Sequence, residues 1–241
     1  MIELDRNSLV WGIVGNLGGG KTMSAVKIAV ESMSQGFFVV SNVYISLDRV
    51  AKIYGEHCRS LYKFVDLEND DPFSWPSGDP RGSGGRRRVV VVHDECAEFF
   101  DQYSASSNKT RQFMSWLRHS SKRSQDVFFV VQRQEYIAKS VRSLVARWVW
   151  VDDLAVWRMP YLRAKLPFCG GLVMQNVFDR LGNRIQRVSF IHKRFWGLFY
   201  DTAQIISTHS SNTYVYEAPP IRPSFFPICL FILSVIVLCR L

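Results

Sequence analysis

Acidic side chains are the scarce class in this chain. Its 21 Asp and Glu face 30 Lys and Arg, a formal net charge of +9, which disfavours cationic partners and favours polyanionic ones: nucleic acid, acidic proteins or the anionic inner face of a membrane. Cysteine is scarce too. Cys58, Cys96, Cys169, Cys229 and Cys239 are too few and too far apart for a disulfide scaffold or a close metal-ligand array, so reduced thiols are expected. No internal repeat is evident. No charged-then-apolar leader opens the chain, because Met1 to Arg6 runs straight into the first apolar segment, and the bulk of the protein is expected in the cytosol. Apolar residues, by contrast, make up 47% of the 241 positions. That is enough for the core of one α/β domain with appendages, and it excludes a disordered tail.

What the chain does have is Gly15-Asn16-Leu17-Gly18-Gly19-Gly20-Lys21-Thr22, which fits the phosphate-loop pattern G-x-x-x-x-G-K-[ST]. A loop that wraps a polyphosphate turns several backbone N–H groups inward, and side chains on Gly15, Gly18, Gly19 and Gly20 would block that approach. Lys21 is then placed to put its ammonium on the outer phosphates, and the Thr22 hydroxyl to hold Mg²⁺ beside them. The flanks have the required order. Leu9 to Val14 reads as a strand, and Thr22 to Ser34 carries apolar residues at helical spacing, so a strand, a glycine loop and a helix N-terminus follow one another. The whole of 15–22 is thus a candidate ATP site.

A second signal lies in Val89 to Val92, followed by His93-Asp94-Glu95. A buried parallel strand is continuously apolar, and the ligand site of an open α/β sheet lies at the carboxyl ends of its strands. Asp94 is expected to hold Mg²⁺ directly or through water, and Glu95 to orient and activate the attacking water. His93 is read as structural. Val127 to Val131 makes another buried strand, ending in Gln132, whose amide is a candidate γ-phosphate sensor.

Between and beyond these motifs, Phe37 to Val40 reads as a strand and Asp48 to Gly55 as a short helix or turn. The stretch Pro72 to Arg88 is dense in breakers and reads as an exposed loop, its Arg86-Arg87-Arg88 run a solvated loop end. Thr110 to Lys122 is helical, with Phe113, Trp116 and Leu117 on an apolar stripe and Arg111, Arg118, His119 and Lys122 around it. Ala138 to Ala146 reads as a helix and Trp148 to Val151 as a strand. The alternation implies an α/β fold with a mostly parallel central sheet and flanking helices. A hairpin of Leu172 to Phe178 and Ile185 to Ile191 follows, turning at Leu181-Gly182-Asn183. The aromatics Phe190, Phe195, Trp196, Phe199 and Tyr200 are expected in the core or at a subunit contact rather than as base-stacking platforms.

After the proline-rich Ala218 to Pro223, residues Phe225 to Cys239 carry no charge. This is a candidate membrane segment, although shorter than the ~20 residues of a full span. The domain plan is therefore a nucleotide-binding region over 1–217, a linker over 218–224 and a membrane anchor over 225–241. Arg222 and the basic bulk on one side place the N-terminal domain in the cytoplasm.

Several blocks together resemble the Zot family, the zonula occludens toxin-like assembly proteins of filamentous phages. They are Gly15 to Thr22, Ser41-Asn42, Val91 to Cys96, Trp116 to Asp126, Asp126 to Gln132, Lys139 to Ala146 and Tyr200-Asp201-Thr202. His93 departs from the family's usual apolar residue, and the periplasmic portion usual in the family does not follow the membrane segment. The resemblance implies a single-pass protein of the host inner membrane whose cytoplasmic P-loop ATPase domain drives virion assembly and export. It implies phage coat proteins and other assembly-export proteins as partners, with phage single-stranded DNA or its binding-protein complex within reach. It also implies that Lys21, Thr22, Asp94, Glu95 and Gln132 serve the site, in a homo-oligomeric ring where Arg142 acts across a subunit boundary as an arginine finger, with Arg118 and Arg147 as alternatives. The rival within motors is a DNA-packaging or conjugative DNA-translocating ATPase. The rival outside them is a nonhydrolytic membrane adaptor or secreted factor, against which Asp94-Glu95 and the missing leader count.

Overall fold

The computed structural model describes residues 9–65, 70–78, 88–96, 108–154, 171–186 and 189–200. The expected linker at 218–224 and membrane segment at 225–241 lie outside these residues, as do Cys169, Cys229 and Cys239. Among the described residues no helix is long and apolar enough to cross a membrane. Cys58 and Cys96, both buried, are free thiols.

The described strands form one sheet, in the order β3-β2-β4-β5-β1-β6-β7-β8. These are β1 (Val10–Gly15), β2 (Phe38–Ser41), β3 (Tyr62–Phe64), β4 (Val89–His93), β5 (Gln125–Val131), β6 (Arg147–Asp153), β7 (Leu172–Asp179) and β8 (Ser189–His192). From β3 across to β6 every pairing is parallel, and the β6–β7 and β7–β8 pairings are antiparallel. The α-helices among the described residues are α1 (Lys21–Ser34), α2 (Leu47–Tyr54), α3 (Asn108–Arg118) and the single turns α4 (Lys139–Arg142) and α5 (Lys193–Trp196).

The central strands are apolar on both faces because helices cover both. Trp11 and Ile13 of β1, Val90 and Val92 of β4, and Phe128 and Val130 of β5 share a cluster with α1. Their neighbours Val10, Val14, Val89, Val91, Val127 and Phe129 share the other cluster, with Phe113, Trp116 and Leu117 of α3. Side chains alternate along a strand, so one valine run feeds two cores. α1 is buried almost all round, from Met23 to Met33, because Trp196 and Phe199 close over the face that the sheet leaves open. This bears out the core reading for Trp196 and Phe199, while Phe195 is exposed. Ser46 N–H donates to the Phe199 carbonyl at 2.8 Å, fastening the same segment to the start of α2.

Two local expectations change, and one strand was not anticipated. β3 is a three-residue strand that periodicity cannot detect, since only its pairing with β2 defines it. The helix expected over Ala138 to Ala146 is only the single turn α4, because the chain must reach Val10, whose carbonyl accepts from Ala146 N–H at 2.8 Å. Arg88 is not a solvated loop end. Its side chain is 13% exposed, and its Nε lies 2.7 Å from Oδ2 of Asp126, which is fully buried. Asp126 Oδ1 also accepts from Leu9 N–H at 2.9 Å, so one carboxylate pins the starts of β1, β4 and β5.

Candidate active site

The turn from β1 into α1 is built from both sides. Gly20, the N-cap of α1, has φ 88°, a left-handed conformation, and a Cβ there would meet Val173 of β7 at 2.7 Å. A Cβ on Gly15 would lie 2.3 Å from the Val151 carbonyl of β6. These two glycines are therefore bare as much because β6 and β7 back the loop as because a phosphate needs room in front. No side chain caps α1. The first N–H groups of a helix have no intrahelical acceptor, so they present a concentrated donor array with the positive end of the helix dipole behind it. Leu17 is 84% exposed at the loop tip, so at that position the backbone alone is suited to meet a ligand.

The lysine and the threonine diverge. Lys21 Nζ donates to the Asn16 carbonyl within its own loop at 2.8 Å. Thr22 Oγ1 donates to Asp94 Oδ2 at 2.7 Å, across 72 residues of sequence. β4, which Asp94 directly follows, is not a neighbour of β1, because β5 runs between them. The loop and the acidic couplet face one another over the end of β5, where Gln132 follows Val131 and is exposed. Parallel strands end on the same edge, and this is how three separate sequence signals meet.

Burial, the largest influence on Asp94, pushes its carboxyl up, while hydrogen bonds from Thr22 and from Glu95 N–H hold it down. Burial likewise lowers the Lys21 ammonium, and attraction to Asp94 and Glu95 opposes this. The three charges thus act on one another. A hydroxyl and a carboxylate in contact are hard oxygen donors of the kind Mg²⁺ takes, and a cation beside Asp94 would offset the cost of its burial. The donor set therefore fits the metal expected from the sequence.

Glu95 is exposed and has φ 54°, left-handed and unusual for a residue with a side chain. His93 is buried between the rings of Phe113 and Phe129, at 5.9 and 6.0 Å, and burial pushes its pKa down to about 3. It is a neutral core residue, as read. The arginines are elsewhere. Arg147 stacks over the Trp11 indole at 5.0 Å, by the starting end of β1, and Arg118 is exposed on α3. Arg142 sits half-buried in α4, and no hydrogen bond or ion pair among the described residues joins it to Thr22 or Asp94 of its own chain.

Two neighbours of the couplet were not given roles from the sequence. Asn42, just past β2, hydrogen-bonds the Asp94 backbone on both sides. Tyr200 has its phenol pushed up to about 12, chiefly by burial and further by the Asp94 carboxylate nearby. Both stand in blocks that carry the family resemblance, which was the available signal.

Residues 12–166 match the family model described as Zonular occludens toxin (Zot). The chain belongs to the Zot family. Among its relatives is the Gene 1 protein of Salmonella phage IKe, 24% identical over 166 residues, covering 68% of this chain and 44% of that protein. The Gene 1 protein of Enterobacteria phage fd is 23% identical over 231 residues, covering 87% of this chain and 64% of that one. The chain thus spans about half to two thirds of these Zot-family relatives. Among solved structures, the N-terminal domain of zonular occludens toxin from Neisseria meningitidis aligns at TM-score 0.47 and 13% identity, over 81% of this chain and 100% of that one. The genome packaging NTPase of Sulfolobus turreted icosahedral virus 2, in complex with ATP-gammaS, aligns at TM-score 0.41 and 13% identity, over 79% of this chain and 98% of that one.

Proposed function

We propose that this protein is a Mg²⁺-dependent ATPase, anchored in the host inner membrane through 225–241, that powers assembly and export of a filamentous phage virion. The observation that carries the enzymatic part is the 2.7 Å contact of Thr22 Oγ1 with Asp94 Oδ2 at the mouth of the phosphate loop. Gene 1 proteins of filamentous phages among the relatives support the phage setting.

The triphosphate lies against the backbone N–H groups of 15–22. Lys21 leaves the Asn16 carbonyl for the outer phosphates, where its charge offsets that of the transferring group. Thr22 and Asp94 would hold Mg²⁺, which would neutralise phosphate charge and polarise the bond to be broken. Glu95 orients the water that attacks the γ-phosphorus and accepts its proton, as the bond from that phosphorus to the bridging oxygen breaks and ADP leaves. Gln132, between loop and couplet, reports loss of the γ-phosphate to β5. Arg142 reaches the site from a neighbouring subunit of a homo-oligomeric ring.

The test is phosphate release by the full chain with and without Mg²⁺, compared with Lys21→Ala and Glu95→Gln. Equal rates in all three proteins would remove the motor reading. Localisation is tested by fractionating cells that express the full chain and a variant ending at residue 217; the full chain should pellet with inner membrane and the shorter one should not. The exposed basic residues of α3, Arg111 and Arg118, favour a second reading in which the motor moves DNA. Stimulation of hydrolysis by single- or double-stranded DNA would select it.

A further inference from the structure

Among the described residues, Asn42 makes a two-point contact to which no role has been assigned. Its Oδ1 accepts from Asp94 N–H at 2.8 Å and its Nδ2 donates to the Asp94 carbonyl at 3.0 Å. One planar amide thus satisfies both polar groups of one residue's backbone. Only a side chain with donor and acceptor side by side can do this, which restricts the position to Asn or Gln. On the far side of the same turn, Asp94 Oδ1 accepts from Glu95 N–H at 2.9 Å, and Cys96 N–H returns to the Val130 carbonyl at 3.2 Å. Glu95, between these fixed points, is held at φ 54° with its side chain exposed.

We propose that Asn42 is a positioning residue for hydrolysis: by clasping the Asp94 backbone it keeps Glu95 in its left-handed conformation, aimed at the attacking water. The proposal rests on the reading of this site as one that hydrolyses ATP. A purely structural tie between β2 and β4 does not account for the clasp, because the ladder already fixes those strands from Phe38↔Val89 to Ser41↔Val92. What the ladder does not reach is the turn beyond it. Freed from the clasp, a residue with a Cβ relaxes toward right-handed or extended backbone, which swings its side chain off the edge where the loop lies.

The experiment measures kcat and KM for ATP with Mg²⁺, affinity for a nonhydrolysable ATP analogue, and thermal midpoint, on the full chain and on Asn42→Ala, Asn42→Asp and Glu95→Gln. Asn42→Ala is expected to lower kcat about 100-fold, the cost of misplacing a catalytic group by about 1 Å. KM and analogue affinity should stay within about threefold, because the loop that binds nucleotide is untouched. Asn42→Asp keeps the acceptor for Asp94 N–H and loses the donor, so its kcat should fall between the wild type and Asn42→Ala. It is nearly isosteric and decides the matter if Asn42→Ala does not fold. Wild-type kcat in Asn42→Ala, or a loss explained wholly by weaker nucleotide binding or by less folded protein, overturns the role of Asn42 while the hydrolysis reading stands. A wild type that releases no phosphate overturns both.

Discussion

The two edges of the sheet use the same kinds of side chain to opposite ends. At the starting edge, Asp126 is fully buried and meets a full positive charge on Arg88 at 2.7 Å and a backbone N–H from Leu9 at 2.9 Å. At the finishing edge, Asp94 is 9% exposed, and its direct partners are neutral: the Thr22 hydroxyl and the Glu95 N–H. The nearest cation, Lys21, spends its hydrogen bond on the Asn16 carbonyl. A buried carboxylate matched by a guanidinium is finished as structure, whereas one matched by neutral dipoles still gains from a cation. Burial and residue type alone would have ranked the two aspartates alike; the charge of the partner separates them.

The sharpest way to break that comparison is to attack each edge in turn. Lys21→Ala and Glu95→Gln are expected to lower phosphate release by on the order of 1,000-fold with little change in thermal midpoint, read by single-turnover hydrolysis and a melting curve. Asp126→Ala should do the converse. Leaving Arg88 buried without its partner costs about 3–5 kcal/mol of stability in urea titration, with kcat per folded molecule unchanged. If Asp126→Ala instead abolished hydrolysis at constant stability, the division of labour between the edges would collapse.

Acid adds a third probe. His93 has its pKa pushed down to about 3 by burial, against about 6.5 when unfolded. Between those values the unfolded chain holds one more proton, so stability is lost as pH falls from 6.5 toward 3. His93→Phe, set between Phe113 and Phe129, should flatten that limb in denaturant titrations across the window. An unchanged slope would show that another group carries it. The smallest effect is expected at Arg147, whose stack over Trp11 contributes about 0.5–1 kcal/mol, so Arg147→Ala should shift the urea midpoint slightly and leave phosphate release alone.

The elements of the finishing edge were legible in the sequence because each is local. Glycine spacing marks the loop, a valine run followed by Asp94-Glu95 marks β4, and the apolar run before Gln132 marks β5. Asn42 was visible only as part of a resembling block, since nothing within a few residues of it says that its amide meets Asp94, 52 residues away. The starting edge was misread for the same reason. Arg88 looks like the end of a breaker-rich basic loop, and only the β4–β5 pairing brings it to Asp126. The length of α4 escaped too, because the chain stops helix where Ala146 must join Val10, a tertiary requirement that overrides apolar spacing.

By itself, then, the order of residues determined the class of fold, the phosphate loop and the identity of the acidic couplet, since these depend on periodicity and on spacings of a few positions. Tertiary structure decided which carboxylate is left for a cation, why Gly15 and Gly20 must be bare, and that the Asp94 backbone, next to the left-handed Glu95, is bound by the Asn42 amide from just past β2. Those outcomes depend on contacts between segments far apart in sequence, made only when β5 inserts between β1 and β4 and β6 and β7 close behind the loop.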